Sequence, residues 1–289
     1  MASLFTLKRR IGSIRGTRQI TKAMQLVSAS KLRRAQEQAR TSRDYREAAY
    51  TLLAQLAGMP DVAEQPLFKK RSIRARLYIV MTSNGGLAGA YNANILKLLT
   101  QSLQRDHDEK VTSSVIAIGS KGAQYVRRLS NVELVAYYPA FGDHPTQASL
   151  QPVLRSVVDL YRDEAVDEVI ILYTISRSGI LQEAVSMPLL PASLGDQAAA
   201  APVTNMNFEP DVATVIHQAA TRLIEVQIWQ VLLESLASEH AMRMIAMKNA
   251  TDNASELIDD YTLEYNTARQ ANITQELAEI TGGAEALKD

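Results

Sequence analysis

The chain has 289 residues, and its 31 Lys and Arg are balanced by 31 Asp and Glu, so as a whole it has no charge with which to seek nucleic acid, an anionic membrane or acidic substrates. It has no cysteine, which excludes disulfides, thiolate metal sites and a cysteine nucleophile. No window approaches the roughly 18 uninterrupted apolar residues of a membrane-spanning helix, and the basic Lys8-Arg9-Arg10 is not followed by a signal-type apolar run; the expectation is a soluble chain that meets a membrane only through a partner.

In chain order, residues 4–57 contain no proline, and Gly12 and Gly16 sit in the first turns, which predicts one long helix stopped at Gly58-Met59-Pro60. Its apolar seam slips in phase: Leu4, Leu7, Ile11 and Ile14, then Ile20, Met24 and Val27, then Leu32, Ala35 and Ala39, then Tyr45, Ala49, Leu52 and Leu56. An irregular supercoil is expected there. Its surface is basic up to Arg46, with Glu37 and Asp44 as the only acids.

The middle alternates between the two periods. Leu77-Tyr78-Ile79-Val80-Met81, Val115-Ile116-Ala117-Ile118, Val132 to Tyr138 and Val169-Ile170-Ile171-Leu172-Tyr173 read as strands, and 92–105, 122–129 and 150–162 as helices. That order predicts an α/β layer with a mainly parallel sheet, with 181–185 as a further edge strand and 188–210 as loop.

Pro210 opens a second long helix, free of proline and glycine until Gly282-Gly283, where it is expected to end. Ile216, Ala219, Leu223, Val226, Leu233, Ala237, Met244, Met247, Ala254, Ile258, Tyr261, Tyr265 and Ala268 supply a heptad seam. Residues 256–279 hold Arg269 as their only base, opposite in charge to the first helix. Both helices attach to one central region, and at about 1.5 Å per residue both outreach a compact domain. The fold expected is therefore α/β with a long antiparallel coiled coil: an N-terminal coil helix over 1–58, a central domain over 59–209 and a C-terminal coil helix over 210–289.

Few features suggest chemistry. Ser83-Asn84-Gly85-Gly86-Leu87-Ala88-Gly89 lies between a strand and a helix, where a dinucleotide fold places its glycines, but the spacing departs from the fingerprint and no clear acid ends the next strand. Gly119-Ser120-Lys121-Gly122 resembles a phosphate cradle without the full Walker spacing. His107, His144, His217 and His240 have no ligand spacing, and Asp259-Asp260 point to different faces of a helix. No catalytic, cofactor-binding or metal-binding residue is expected. The basic first helix needs an apolar partner, which the acidic second helix supplies, so nucleic acid is not expected either.

Two long stretches resemble the gamma subunits of rotary ATP synthases. One comprises Thr17, Gln19-Ile20-Thr21-Lys22-Ala23-Met24 and Ser30-Lys31-Leu32-Arg33-Arg34-Ala35; the other comprises Ala237-Ser238-Glu239, the run from Ala241-Met242-Arg243 to Thr251-Asp252-Asn253, and the run from Tyr265-Asn266-Thr267 to Gln275-Glu276-Leu277. The chain departs from that family after the first strand, where Asn84, Gly85, Gly86, Leu87, Ala88, Gly89 and Ala90 stand for the usual Asp-Arg-Gly-Leu-Cys-Gly-Gly.

The resemblance implies a non-catalytic rotor shaft. Its paired helices would enter a ring of three alpha and three beta subunits, with the α/β domain beside epsilon and the ring of c subunits, on the cytoplasmic face of a bacterial plasma membrane. It further implies that Met24, Arg243, Arg269, Gln270 and Thr274 touch alpha or beta, and that Met206, Phe208 and Glu209 belong to the foot at the c ring. The residues alone also fit a coiled-coil scaffold whose α/β head binds a nucleotide or peptide, or a dinucleotide-dependent enzyme with helical arms.

Overall fold

The computed structural model describes residues 3–56, 65–142, 145–178, 181–192 and 212–286, with the side chains of 42–56, 212–213 and 284–286 left undescribed. In chain order the elements are α1 (Leu4–Leu56), β1 (Ala75–Met81), α2 (Tyr91–Asp108), β2 (Thr112–Ile118), α3 (Ser120–Val126), β3 (Glu133–Tyr138), α4 (Gln147–Arg162), β4 (Glu168–Ser176), β5 (Gln182–Leu190) and α5 (Val212–Ala286). They form two compact units, one of residues 29–243 and one of residues 1–28 with 244–289, so each long helix contributes to both.

The larger unit is built on a five-stranded sheet in the order β3-β2-β1-β4-β5. The first four strands are parallel and β5 is antiparallel to β4. Strands covered on both faces read as unbroken apolar runs, and Leu77, Tyr78, Ile79, Val80 and Met81 of β1 are all buried. On one face Ile79, Ile116 and Ile171 pack with Val153 and Val157 of α4 and with Ile216, Leu223, Ile228 and Leu233 of α5. On the other, Val80, Val115 and Leu172 pack with Tyr91, Ile95 and Leu99 of α2 and Val126 of α3. Burying each such side chain contributes about 1.5–3 kcal/mol. Here α5 is a core helix; even Glu225 is buried, bonded to Arg222 at 2.6 Å and to the Gln151 amide at 3.2 Å. Leu32 and Ala35 of α1 pack with Leu236 and Ala237.

Several boundaries in this unit shift by up to a few residues from those expected, and two of the shifts have a clear physical cause. Strand β5 runs through Pro188 to Leu190, whereas 188–210 was expected to be loop. Pro188 lies opposite Ile170, beside a shift of register, on a strand at the sheet edge, where a residue without an N–H is tolerated. Helix α3 begins at Ser120 rather than Gly122, for reasons of bonding given below.

In the smaller unit Ser3 caps α1, its Oγ accepting from Thr6 N–H at 3.2 Å. The two helices run antiparallel: Thr21 and Thr251 are bonded at 2.8 Å, and Arg10 lies 5.9 Å over the Tyr261 ring. On α5 the seam is the expected heptad, with Met247, Ala254 and Ile258 buried. On α1 the phase slips expected between Ile14 and Leu32 do not occur, and the one expected at Tyr45 falls on side chains outside those described. Ile20 and Val27 are 63% and 54% exposed, while Leu7, Ile11, Thr21 and Ser28 are buried. The heptad continues through polar residues where the apolar pattern strays from it, because burial follows the 3.5-residue geometry of the pair rather than the chemistry of each residue.

Helix α5 does not end at Gly282-Gly283 but continues to Ala286. Glycine within a helix costs about 1 kcal/mol relative to alanine, which weakens the last turns without terminating them. The expected stop at Gly58-Met59-Pro60 lies outside the described residues.

Candidate functional site

The two glycine turns follow β1 and β2 at the carboxyl end of the sheet, where doubly wound folds take their ligands. Their polar groups are bonded to each other. Asn84 Oδ1 accepts from Ser120 N–H at 3.1 Å and from Ala140 N–H at 3.0 Å, and its amide donates to Ala140 O at 3.1 Å. Lys121 N–H donates to Ser83 O at 3.2 Å, and Gly122 N–H to Thr82 Oγ1 at 2.9 Å. The amides that could cradle a phosphate at the start of α3 are thus spent on the β1–α2 turn, and these same bonds start the helix at Ser120.

The glycines serve this close approach. A Cβ at Gly119, whose φ is +100°, would stand 2.0 Å from Thr82 O, and one at Gly122 would stand 2.9 Å from Thr82 Oγ1. Asn92, in the first turn of α2, straps the turn by accepting from Ser83 N–H at 3.0 Å and donating to Ser83 Oγ at 2.8 Å. Tyr91 OH bonds Ser235 Oγ at 2.7 Å, tying α2 to α5, and Met242 of α5 packs on the cluster that holds Ala88 and Tyr91.

At the other end of the strands, Arg76 pairs with the fully buried Asp106 and with Glu168 at 2.5 Å. Tyr78 OH and Ser113 Oγ donate to Asp106 Oδ2 at 2.8 and 2.6 Å. Burial pushes the Tyr78 phenol well up and its bond to Asp106 adds to this. For Arg76 burial works downward, but Glu168 outweighs it and the guanidinium is held above its ordinary value. These are permanent ties between α2, β1, β2 and β4. A nearby cleft of about 500 Å³ is lined by Leu103, Val111, Leu129 and Val132. Of its polar groups, Thr100 is bonded to Tyr125 OH and Ser113 to Asp106, which leaves exposed Gln104, His107, Thr112, Ser130 and Asn131.

Among the described residues no three His, Asp or Glu stand together as a metal site. His107 and His217 are exposed, as are Asp259 and Asp260, while His240 is buried with its Nδ1 3.4 Å from the Arg243 guanidinium; His144 lies outside the described residues.

A longer exposed surface lies in the paired-helix unit. From Arg269 to Gly283 every residue of α5 is exposed, an unpaired stretch of helix carrying Arg269, Gln270 and Thr274 with an apolar row of Ile273, Leu277 and Ile280. Thr274 Oγ1 donates back to Gln270 O at 2.9 Å. Met24 is half-buried beside exposed Ile20, Leu26 and Val27. Arg243 differs: in the larger unit it is bonded to Glu239 at 2.7 Å, with 15% of its side chain exposed. Met206, Phe208 and Glu209 lie outside the described residues. Thr21, Thr251 and Asn84 were not anticipated as contact residues; carrying the heptad from Ile14 without a slip would have found Thr21.

A family model described as ATP synthase matches residues 3–287. An ATP synthase gamma chain of Staphylococcus epidermidis is 38% identical over 289 residues, and one of Macrococcus caseolyticus is 40% identical over 290, each covering 100% of both chains. This chain belongs to the ATP synthase gamma family. As a gamma-family chain it is a non-catalytic subunit, the central shaft of a rotary ATP synthase. The fold is also that of a chain of the Euglena gracilis mitochondrial ATP synthase, at TM-score 0.69 and 17% identity, covering 98% of this chain and 94% of that one. A chain from the central stalk and c ring of the Tetrahymena thermophila enzyme gives TM-score 0.64 at 21% identity, covering 80% of this chain and 99% of that one. Among the described residues no helix is long and apolar enough to cross a membrane.

Proposed function

We propose that the paired-helix unit turns inside a ring of three alpha and three beta subunits, and that the sheet-bearing unit meets epsilon and the c ring on the cytoplasmic face of a bacterial plasma membrane. The observation that carries this is the unpaired end of α5: an isolated helix of that length is marginal in water, and its row of Ile273, Leu277 and Ile280 calls for an enclosing apolar wall. A shaft with differing faces favours a different conformation in each of three identical sites, and turning it moves the preference from one site to the next.

In this assembly Met24, Arg269, Gln270 and Thr274 touch alpha or beta, with Arg269 suited to a carboxylate. Arg243 joins them through its pair with Glu239, whose charge any partner carboxylate must displace or share. Met206, Phe208 and Glu209 form part of the foot at the c ring. Native mass spectrometry of the gently purified tagged chain tests the assembly. A particle with three alpha, three beta and one copy of this chain is expected; an alpha–beta ring that assembles and couples without it would overturn the proposal.

A further inference from the structure

We propose that Thr21 and Thr251 form a latch in the coiled coil, a buried bond between helices that opens without stranding a donor and lets the two helices shift against each other at that layer. The bond is 2.8 Å long and both residues are buried in the seam. Each hydroxyl also has a carbonyl of its own helix in reach: Met247 O lies 2.8 Å from Thr251 Oγ1, and Arg18 O lies 3.1 Å from Thr21 Oγ1.

Two hydroxyl protons therefore face three contacts. When Thr251 donates to Thr21, Thr21 donates to Arg18 O; when Thr21 donates to Thr251, Thr251 donates to Met247 O. When the helices part, each hydroxyl donates to its own helix and both protons remain bonded. Opening an ordinary buried hydrogen bond leaves a donor unsatisfied, and that penalty is what makes such bonds rigid. The penalty is absent here.

On the α1 side the neighbouring layers add little rigidity, although α5 presents buried Met247, Ala254 and Ile258 there. On α1 the seam positions on either side of Thr21 are half-buried Arg18 and Gln25, followed by the small Ser28; the large buried apolar residues of this stretch, Leu7 and Ile11, lie nearer the start of the helix. A seam of bulky knobs in holes resists sliding because sliding uncovers apolar surface, and polar or small seam residues forgo that resistance. Glycine and proline play no part in the device: the nearest glycine on α1 is Gly16, and the helix is continuous through this region.

The absence of cysteine makes a direct test simple. Cysteines introduced at exposed Lys22 and Asp252 accept spin labels, and the width of the distance distribution between them is measured in the full-length chain, alone and in the assembled complex. Thr21→Val with Thr251→Val keeps the shape, removes both protons and supplies an apolar layer. The double variant is expected to narrow the distribution and to raise the melting temperature by about 2–4 °C. Thr21→Val alone is expected to leave the melting temperature unchanged, since Thr251 still donates to Met247 O, and Thr251→Ser to keep the parental width. A double variant that broadens the distribution, lowers the melting temperature or leaves both unchanged overturns the latch and makes the contact a fixed tie.

Discussion

Gly119 shows how one residue can carry a misleading signal for a sound physical reason. A phosphate cradle and a close backbone crossing both demand glycine, and the sequence does not say whether the approaching atom belongs to a ligand or to Thr82. Gly119→Ala is expected to destabilise the chain by roughly 2–4 kcal/mol, since both its φ of +100° and the 2.0 Å approach to Thr82 O forbid a side chain. Gly122→Ala should cost less, about 1–2 kcal/mol, because Thr82 can turn away by giving up its bonds from Gly122 N–H and to Ile118 O. Urea denaturation of the two variants checks the order. Asp167 is more conventional. Burial alone would raise its pKa, but the Arg74 and Ala75 N–H groups, at 2.8 and 3.0 Å, and the charge of Arg74 outweigh it and hold the carboxyl below its ordinary range. A depressed carboxyl contributes stability that is complete above its unfolded pKa, about 3.9, and is lost as pH falls through the folded value. Asp167→Asn is expected to melt below the parent at pH 7 and to converge with it toward pH 3, as thermal melts across that range would show.

At the scale of elements, the strands and both long helices were legible, because a covered parallel sheet and a coil seam each impose a period that few other arrangements share. Strand β5 was half-legible: the expected edge strand was there, but Pro188 concealed its second half, since proline signals an end in most strands and only discomfort at an edge. The seam of α1 was misread where apolar residues left the buried phase. Ile20 and Val27 face outward in a region where Thr21 and Ser28 face in, so they belong to the surface rather than to the core of the pair. Ile11→Ala is accordingly expected to cost about 2–4 kcal/mol and Ile20→Ala less than about 0.5 kcal/mol. Equal losses in chemical denaturation would restore the slipped seam. The end of α5 invites the complementary test: Ile273→Asp with Leu277→Asp should leave the melting temperature of the free chain unaltered while reducing its recovery with alpha and beta in pull-down. A drop in the stability of the free chain would show that these side chains have an internal partner.

For the molecule as a whole, family membership decides what the sequence pattern left open between a shaft, a scaffold with a nucleotide-binding head and a dinucleotide enzyme. The bonding of the two turns supplies the physical counterpart. Titration calorimetry with ATP and with NADH is expected to give no saturable heat for this chain, and micromolar binding of either would reopen the nucleotide reading. The proposal that Met206, Phe208 and Glu209 belong to the foot rests on resemblance alone, because no periodic pattern passes through the Pro- and Ala-rich stretch around them. The same turns have a further consequence for a part that works amid nucleotides. A rotor immersed in the substrate and product of its own machine would be braked or unbalanced by every molecule it captured. Because Asn84 holds the Ser120 and Ala140 amides and Thr82 holds that of Gly122, a phosphate finds these donors already engaged, and any response of the shaft to ATP or ADP is expected to arrive through the subunits that grip it.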